Sequence, residues 1–250
     1  MVWGVTSLIA IGCSGPPAVP TPQGPTFAPT TQVTAAGTIE IEAAVEIDPD
    51  DRHGIPLTSK FGVSENSEVF VSWSPYQFEN RDGDDGEGMG DTVIGMRERM
   101  IDLGPDSPSI AYQLKTKLPT ASERRGLGTG EIDFFAGVVL ERPWRESMVA
   151  GFYQLGVLGD PEGGDPDLQH AISVAARGSL SESLGLFAEV VGIITPEQDS
   201  EEVTTTAGFT IPGSDGWIFD LGVSLGLTED APDFSMMFGF TVNLGGIGTE

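Results

Sequence analysis

The chain has 250 residues, with 38 Asp or Glu against 12 Lys or Arg, and a formal charge of -26 at pH 7. Such a surface repels polyanions, which argues against a nucleic-acid partner, since that needs clustered cations. One cysteine excludes an intramolecular disulfide framework and a cysteine-rich metal cluster, and no residue pattern asks for a cofactor. No apolar run reaches the roughly 18 residues that a spanning helix requires, a test to which a β-barrel is not subject.

Residues 1–13 read MVWGVTSLIAIGC, an apolar stretch that ends in small residues before Cys13. The stretch resembles a bacterial lipoprotein signal, in which Cys13 would be lipidated and become the mature N-terminus. An ordinary export signal with an incidental cysteine is the alternative, because Ala10 stands where leucine is usual and no Lys or Arg precedes the apolar segment. Residues 1–12 are assigned to this signal under either reading. Residues 13–36 are rich in Pro and Thr, which predicts an extended linker with no core of its own. The folded domain, 37–250, begins near Gly37.

From there about twelve strands are predicted, separated by Gly, Pro, Asp and Ser clusters. They lie near 37–47, 55–63, 67–76, 90–101, 109–119, 131–141, 147–158, 169–180, 184–195, 202–211, 216–228 and 233–244. Most are about ten residues long, which suits a tilted membrane strand better than a globular one. The even-numbered connections are mostly short, such as SENS and PGSDG; the odd-numbered ones are mostly long, such as QFENRDGDDGEGMG and GDPEGGDPDLQ, and hold most of the carboxylates. Long loops at one end and short turns at the other are the mark of an outer-membrane barrel. The fold class expected is therefore all-β: a closed antiparallel up-and-down transmembrane β-barrel of about 12 strands in the bacterial outer membrane. Period-two alternation places Trp217, Phe219, Phe238 and Phe240 against lipid, with Asp220 and Thr241 in the lumen. Glu98 falls in a lipid-facing phase.

Three segments, LTSKFGVSENSEVFVSW (57–73), GMGDTVIGMRERMID (88–102) and LKTKLPTASERRGLGTGEIDFFAGVVL (114–140), carry a family likeness. They resemble an outer-membrane transporter family named after the meta-pathway of phenol degradation. The matching positions are Lys60 and Gly62, then Gly88, Gly90 and Asp91 with Arg97 and Arg99, then Leu118, Pro119 and Thr120 with Gly126, Gly128 and Gly130. LFAEVVG (186–192) extends the likeness. The resemblance implies transport of small solutes, including hydrophobic or aromatic compounds.

The polar phase of the strands gives candidate lumen and selectivity residues: Glu40, Glu42, Glu46, Lys60, Arg97, Arg99, Lys115, Lys117, Asp133, Arg177, Glu189 and Asp220. Bases cluster on the fourth and fifth predicted strands and acids on the first, ninth and eleventh, a layout that sets a field across a pore. The bland alternative is mutual neutralisation, Lys115 with Asp133 and Arg177 with Glu189, in an interior filled by side chains. Asp82, Asp84, Asp85 and Glu87 are expected at an acidic outer rim. Their spacing does not fit the twelve-residue calcium loop, so weak divalent cations are the most this rim would hold.

The function expected is a channel or transporter whose partners are outer-membrane lipid and a small-molecule solute. A closed structural or surface barrel lipoprotein is the alternative. A phospholipase-like enzyme ranks below both, because His53 and His170, the latter near Ser173, form no recognisable triad motif.

Overall fold

The computed structural model describes residues 18–49, 52–81, 84–213 and 216–246. Cys13 and the signal lie outside them. In chain order the strands are β1 (Thr38–Ile47), β2 (Arg52–Gly54), β3 (Leu57–Gly62), β4 (Ser67–Trp73), β5 (Gln77–Arg81), β6 (Asp84–Gly88), β7 (Thr92–Asp102) and β8 (Ser109–Leu118). They continue with β9 (Asp133–Trp144), β10 (Ser147–Leu158), β11 (Asp167–Ser181), β12 (Leu184–Thr195), β13 (Ser200–Pro212), β14 (Trp217–Gly226) and β15 (Phe234–Gly246). Twelve of them, all but β2, β5 and β6, form the wall, each antiparallel to its neighbours. β15 pairs back onto β1, with Ala43 opposite Phe240, so the sheet closes as a barrel. Closure leaves the wall no unpaired edge, which a membrane interior demands.

The alternation of connections is as expected. Links 63–66, 103–108, 145–146, 182–183 and 213–216 gather at one end, the short-turn end; 48–56, 74–91, 119–132, 159–166, 196–199 and 227–233 gather at the other, the long-loop end. The long-loop end also holds β2, β5 and β6, where loops were expected. β2 pairs with β1 and β5, and β5 pairs with β6. These strands are short and polar and show no apolar alternation; backbone pairing and the stacking of His53 on Phe78, with ring centroids 5.5 Å apart, order them instead.

Period two governs the wall. Val138 (50% exposed), Val174 (58%) and Phe238 (51%) point outward at mid-strand, whereas Val139, Ala175 and Gly239 beside them are buried. An apolar belt this continuous is what lipid covers. Phe219 is exposed with it; Asp220 and Thr241 are buried on the inner face. Glu98 does face outward, but it lies opposite Ser67, the first residue after a short turn, and accepts a hydrogen bond from Tyr112 Oη at 2.6 Å. At that depth a carboxylate costs far less than at the midplane.

The barrel is not hollow. Residues 18–36, part of the segment 13–36 expected as an extended linker with no core of its own, run through the lumen and pack into the core of the wall. Ala28 is fully buried in a cluster with Ala111, Val139, Ala150, Phe152 and Ala175 of the inner wall. The segment leaves at the short-turn end over Gly62, where a Cβ would stand 2.1 Å from the Ala35 carbonyl oxygen. Only glycine allows that crossing.

Placing a charge in the outer belt tests this fold. Val174→Lys, at mid-strand, should lower stability in lipid vesicles by about 2–4 kcal/mol, measured by urea unfolding. An unchanged midpoint would show that this face does not meet lipid.

Candidate functional site

The site is the lumen and the segment within it. An extended chain that joins no sheet must find acceptors for its N–H groups, because an unpaired buried donor costs about 1–3 kcal/mol. Prolines at 20, 22, 25 and 29 remove four of these donors. Carboxylates of the wall take seven of the rest.

Thr21 N–H donates to Glu40 at 3.2 Å. Gln23 and Gly24 N–H donate to Glu42 Oε1 at 3.0 and 2.6 Å, and Phe27 and Ala28 N–H straddle the two oxygens of Glu189 at 2.6 and 2.7 Å. Thr31 donates both N–H and hydroxyl to Glu141, at 2.8 and 2.6 Å, and Thr34 N–H donates to Glu68 at 2.6 Å. The dependence runs both ways, since Glu40, Glu68, Glu141 and Glu189 are all buried and a buried carboxylate is tolerated only when charge or donors compensate it.

Cations supply the remaining compensation. Lys60 Nζ lies 2.9 Å from Glu40 and 3.2 Å from Glu42, and donates to the Thr21 carbonyl at 2.6 Å. Arg97 pairs with Glu68 at 2.9 Å and donates to Gln113 Oε1 at 3.1 Å. Arg177 lies 3.4 Å from Glu141 and donates to Thr26 Oγ1 and the Ala28 carbonyl at 2.6 and 2.5 Å. Lys117 pairs with Asp133 at 2.6 Å near the long-loop end, with Asp91 3.7 Å away.

The remaining candidates are placed as follows. Arg99 sits at the short-turn rim, 3.2 Å from Asp102 and hydrogen-bonded to Asn66. Glu46 lines a chamber at the long-loop end. Asp220 packs over Gly239, where a Cβ would stand 2.0 Å from its carboxylate. Lys115 lies 5.2 Å from the centre of the Phe135 ring.

The neutralising pairs differ from those expected: Lys117, not Lys115, meets Asp133, and Arg177 meets Glu141 while Glu189 is taken by the segment and by the Ser173 hydroxyl. Two central carboxylates, Glu68 and Glu141, were missing from the sequence-based set. Glu141 shares the inward phase of its strand with Asp133, which was in that set, so strict parity would have found it; no lumen candidate was assigned to the strand that carries Glu68.

Two chambers lie above the segment and share Gly24, Thr26 and Phe27 as their floor. The larger, of about 380 Å³, is lined by Glu46, Asp48, Arg52 and Glu202 with Val191 and Met236. The smaller, of about 220 Å³, lies against β3, β4, β7 and β8 and holds Lys60, Arg97 and Lys115. Beyond them a mouth of about 480 Å³ surrounds Arg52 with Glu79, Glu202, Glu229, Asp230 and Asp233.

Of the expected acidic rim, Asp82 lies outside the described residues. Asp84, Asp85 and Glu87 belong to β6, and the Glu87 carbonyl accepts a hydrogen bond from Arg125. Among the described residues, no group of three or more His, Cys, Asp or Glu side chains is placed to hold a metal ion. His170 Nδ1 lies 2.9 Å from Tyr153 Oη, while Ser173 is buried beside Glu189, so these two residues sit on opposite faces of β11.

No protein-family model matches the sequence, and no curated protein matches it. Solved structures share its fold. An outer-membrane channel from Pseudomonas putida F1 superposes with a TM-score of 0.67 at 8% identity, covering 88% of this chain and all of that one. The NanC porin does so with a TM-score of 0.59 at 8% identity, covering 82% of this chain and all of the porin. The chain thus has the closed antiparallel barrel fold that those proteins form, with its lumen threaded by residues 18–36.

Removing one acceptor should reveal the coupling of segment and wall. Glu189→Ala leaves the Phe27 and Ala28 N–H groups unpaired and should cost about 2–5 kcal/mol in unfolding free energy, read by denaturant titration in detergent. A cost below about 0.5 kcal/mol, the range of an ordinary surface change, would show that Glu189 does not hold the segment.

Proposed function

We propose that this chain is an outer-membrane channel for small solutes, narrowed by residues 18–36. The observation that carries this reading is the pair of chambers that share the segment as their floor and reach toward the long-loop end. Only water-filled volume of this kind gives a solute a path into a twelve-stranded wall. The channel and the porin that share the fold support the same reading, as does the resemblance to the transporter family named after phenol degradation. Under that reading the long-loop end faces outward and the short-turn end faces the periplasm.

The acidic mouth sets the preference. Six carboxylates, Asp48 among them, around Arg52 at an opening bounded by low-dielectric material raise the local concentration of cations and depress that of free anions. Cations and neutral solutes, including hydrophobic or aromatic ones that can lie against Phe27, Val191 and Met236, therefore enter most readily. Divalent cations enter this account as weak counter-ions of the acidic loops. This reading assigns no catalytic role to His170, which bonds to Tyr153, or to Ser173, which bonds to Glu189.

A structural barrel without transport is the second reading, and the filled lower lumen favours it. Planar-bilayer currents separate the two. The channel reading expects steps of current and a cation-selective reversal potential across a salt gradient, weakening toward 1 M salt as the screening length falls to about 3 Å. Neutralising Glu202, Glu229, Asp230 and Asp233 together should move the reversal potential toward zero at low salt. Absence of current would favour the structural barrel, and an unchanged reversal potential would remove the mouth from selectivity.

A further inference from the structure

The smaller chamber holds a charge that no carboxylate among the described residues pairs with. Lys60, Arg97, Arg99, Lys117 and Arg177 each lie within 4.0 Å of a carboxylate. Lys115 is the lumen-facing cation that has none among the described residues: its ammonium meets the face of Phe135, 5.2 Å from the ring centre. That is an unusual omission in a chain that carries 38 acids and 12 bases. Arg97 adds a second donor without an acceptor. Its terminal nitrogens are engaged by Glu68 and Gln113, but its Nε–H, on a side chain only 4% exposed, has no partner. Both side chains line the same chamber of about 220 Å³, inward-facing on the paired strands β7 and β8, where Gly95 lies opposite Lys115 and Arg97 opposite Gln113.

A half-buried ammonium without a carboxylate, beside a buried guanidinium whose Nε–H has no acceptor, is costly unless an anion completes the pair. We infer that Lys115 and Arg97 form a subsite for the carboxylate group of a small solute. The group that fits is a single negative charge: the carboxylate of Glu42 lines the same chamber, Glu68 sits behind Arg97, and both oppose a dianion. Phe70 and Phe27 line the chamber beside the donors and give an apolar body its contact surface. Gly95 makes room for the Phe70 ring, since a Cβ there would stand 2.2 Å from Phe70 Cζ.

A free anion must pass the acidic mouth to arrive, whereas a zwitterion carries its own positive end. Its ammonium would face the acidic chamber, which shares the floor at Gly24, Thr26 and Phe27, while its carboxylate meets Lys115. The subsite deepens the channel reading by giving the solute a carboxylate. Because it is read by equilibrium binding, it can fail while the barrel conducts, and can succeed in a barrel that does not.

The test is calorimetric titration of the full chain in detergent at low salt with three probes of one shape: benzoate, benzamide and zwitterionic 4-(aminomethyl)benzoate. Benzoate should bind at least about ten-fold more tightly than benzamide, the factor expected of a charge-assisted hydrogen bond, and the zwitterion at least as tightly as benzoate. Lys115→Gln should remove that advantage and leave benzamide unchanged, while Lys115→Arg, which keeps the charge, should retain it and report that the site still folds. Benzoate no tighter than benzamide, or full benzoate affinity in Lys115→Gln, would overturn the proposal. Binding of benzoate with exclusion of the zwitterion would assign the subsite to free monoanions alone.

Discussion

Everything inside this barrel depends on one reciprocal requirement: an extended segment without a sheet partner needs acceptors, and buried carboxylates need donors. Prolines remove four of the segment's N–H groups, and Glu40, Glu42, Glu68, Glu141 and Glu189 accept seven of the rest. Neither set is stable in the lumen alone, since each unpaired donor or charge would cost about 1–3 kcal/mol or more. Barrel closure and threading of the segment are therefore energetically one event. Small inward residues, Ala111, Ala150 and Ala175, leave the space in which Ala28 and the Phe27 ring pack, the latter 5.7 Å from Phe152.

This requirement shapes the electrostatics of the rest. Three lumen cations, Lys60, Arg97 and Arg177, neutralise the carboxylates that bind the segment. What is left over at the long-loop end is uneven: the β1 and β12–β15 side has surplus acid, while the β7 and β8 side has surplus base. A solute above the segment thus meets a field directed across the lumen, inside an entrance whose net charge is negative. The strong negative charge of the chain is spent mostly on loops, where water and salt screen it, and the lumen keeps closer balance.

The wall was legible in the sequence because a strand has one simple code. Alternation along Trp217–Gly226 and Phe234–Gly246 fixes inside and outside, and turn clusters fix the ends, so the twelve wall strands lie within a few residues of their expected positions. Loop length gave the polarity of the barrel for the same reason. β2, β5 and β6 were not legible, because short polar sequence with no apolar phase carries no period, and tertiary pairing alone decides its structure. The path of residues 18–36 was hidden more deeply. Pro and Thr composition reports that a segment is extended and builds no core of its own, and both hold; it does not report that another part of the chain lines a tube with acceptors for it. The phase of the lumen candidates could be read from parity, but their pairing could not, because partners such as Lys117 and Asp133 or Arg177 and Glu141 are set by register between strands.

The central claim is that residues 18–36 occupy the lumen as part of the folded barrel. Amide hydrogen exchange in detergent reads it directly at Thr21, Gln23, Gly24, Phe27, Ala28, Thr31 and Thr34, whose N–H groups meet wall carboxylates. The account predicts protection comparable to that of neighbouring wall strands such as β12, because these amides are released only when the barrel opens. Exchange at the rate of a free chain, with the wall strands still protected, would contradict it.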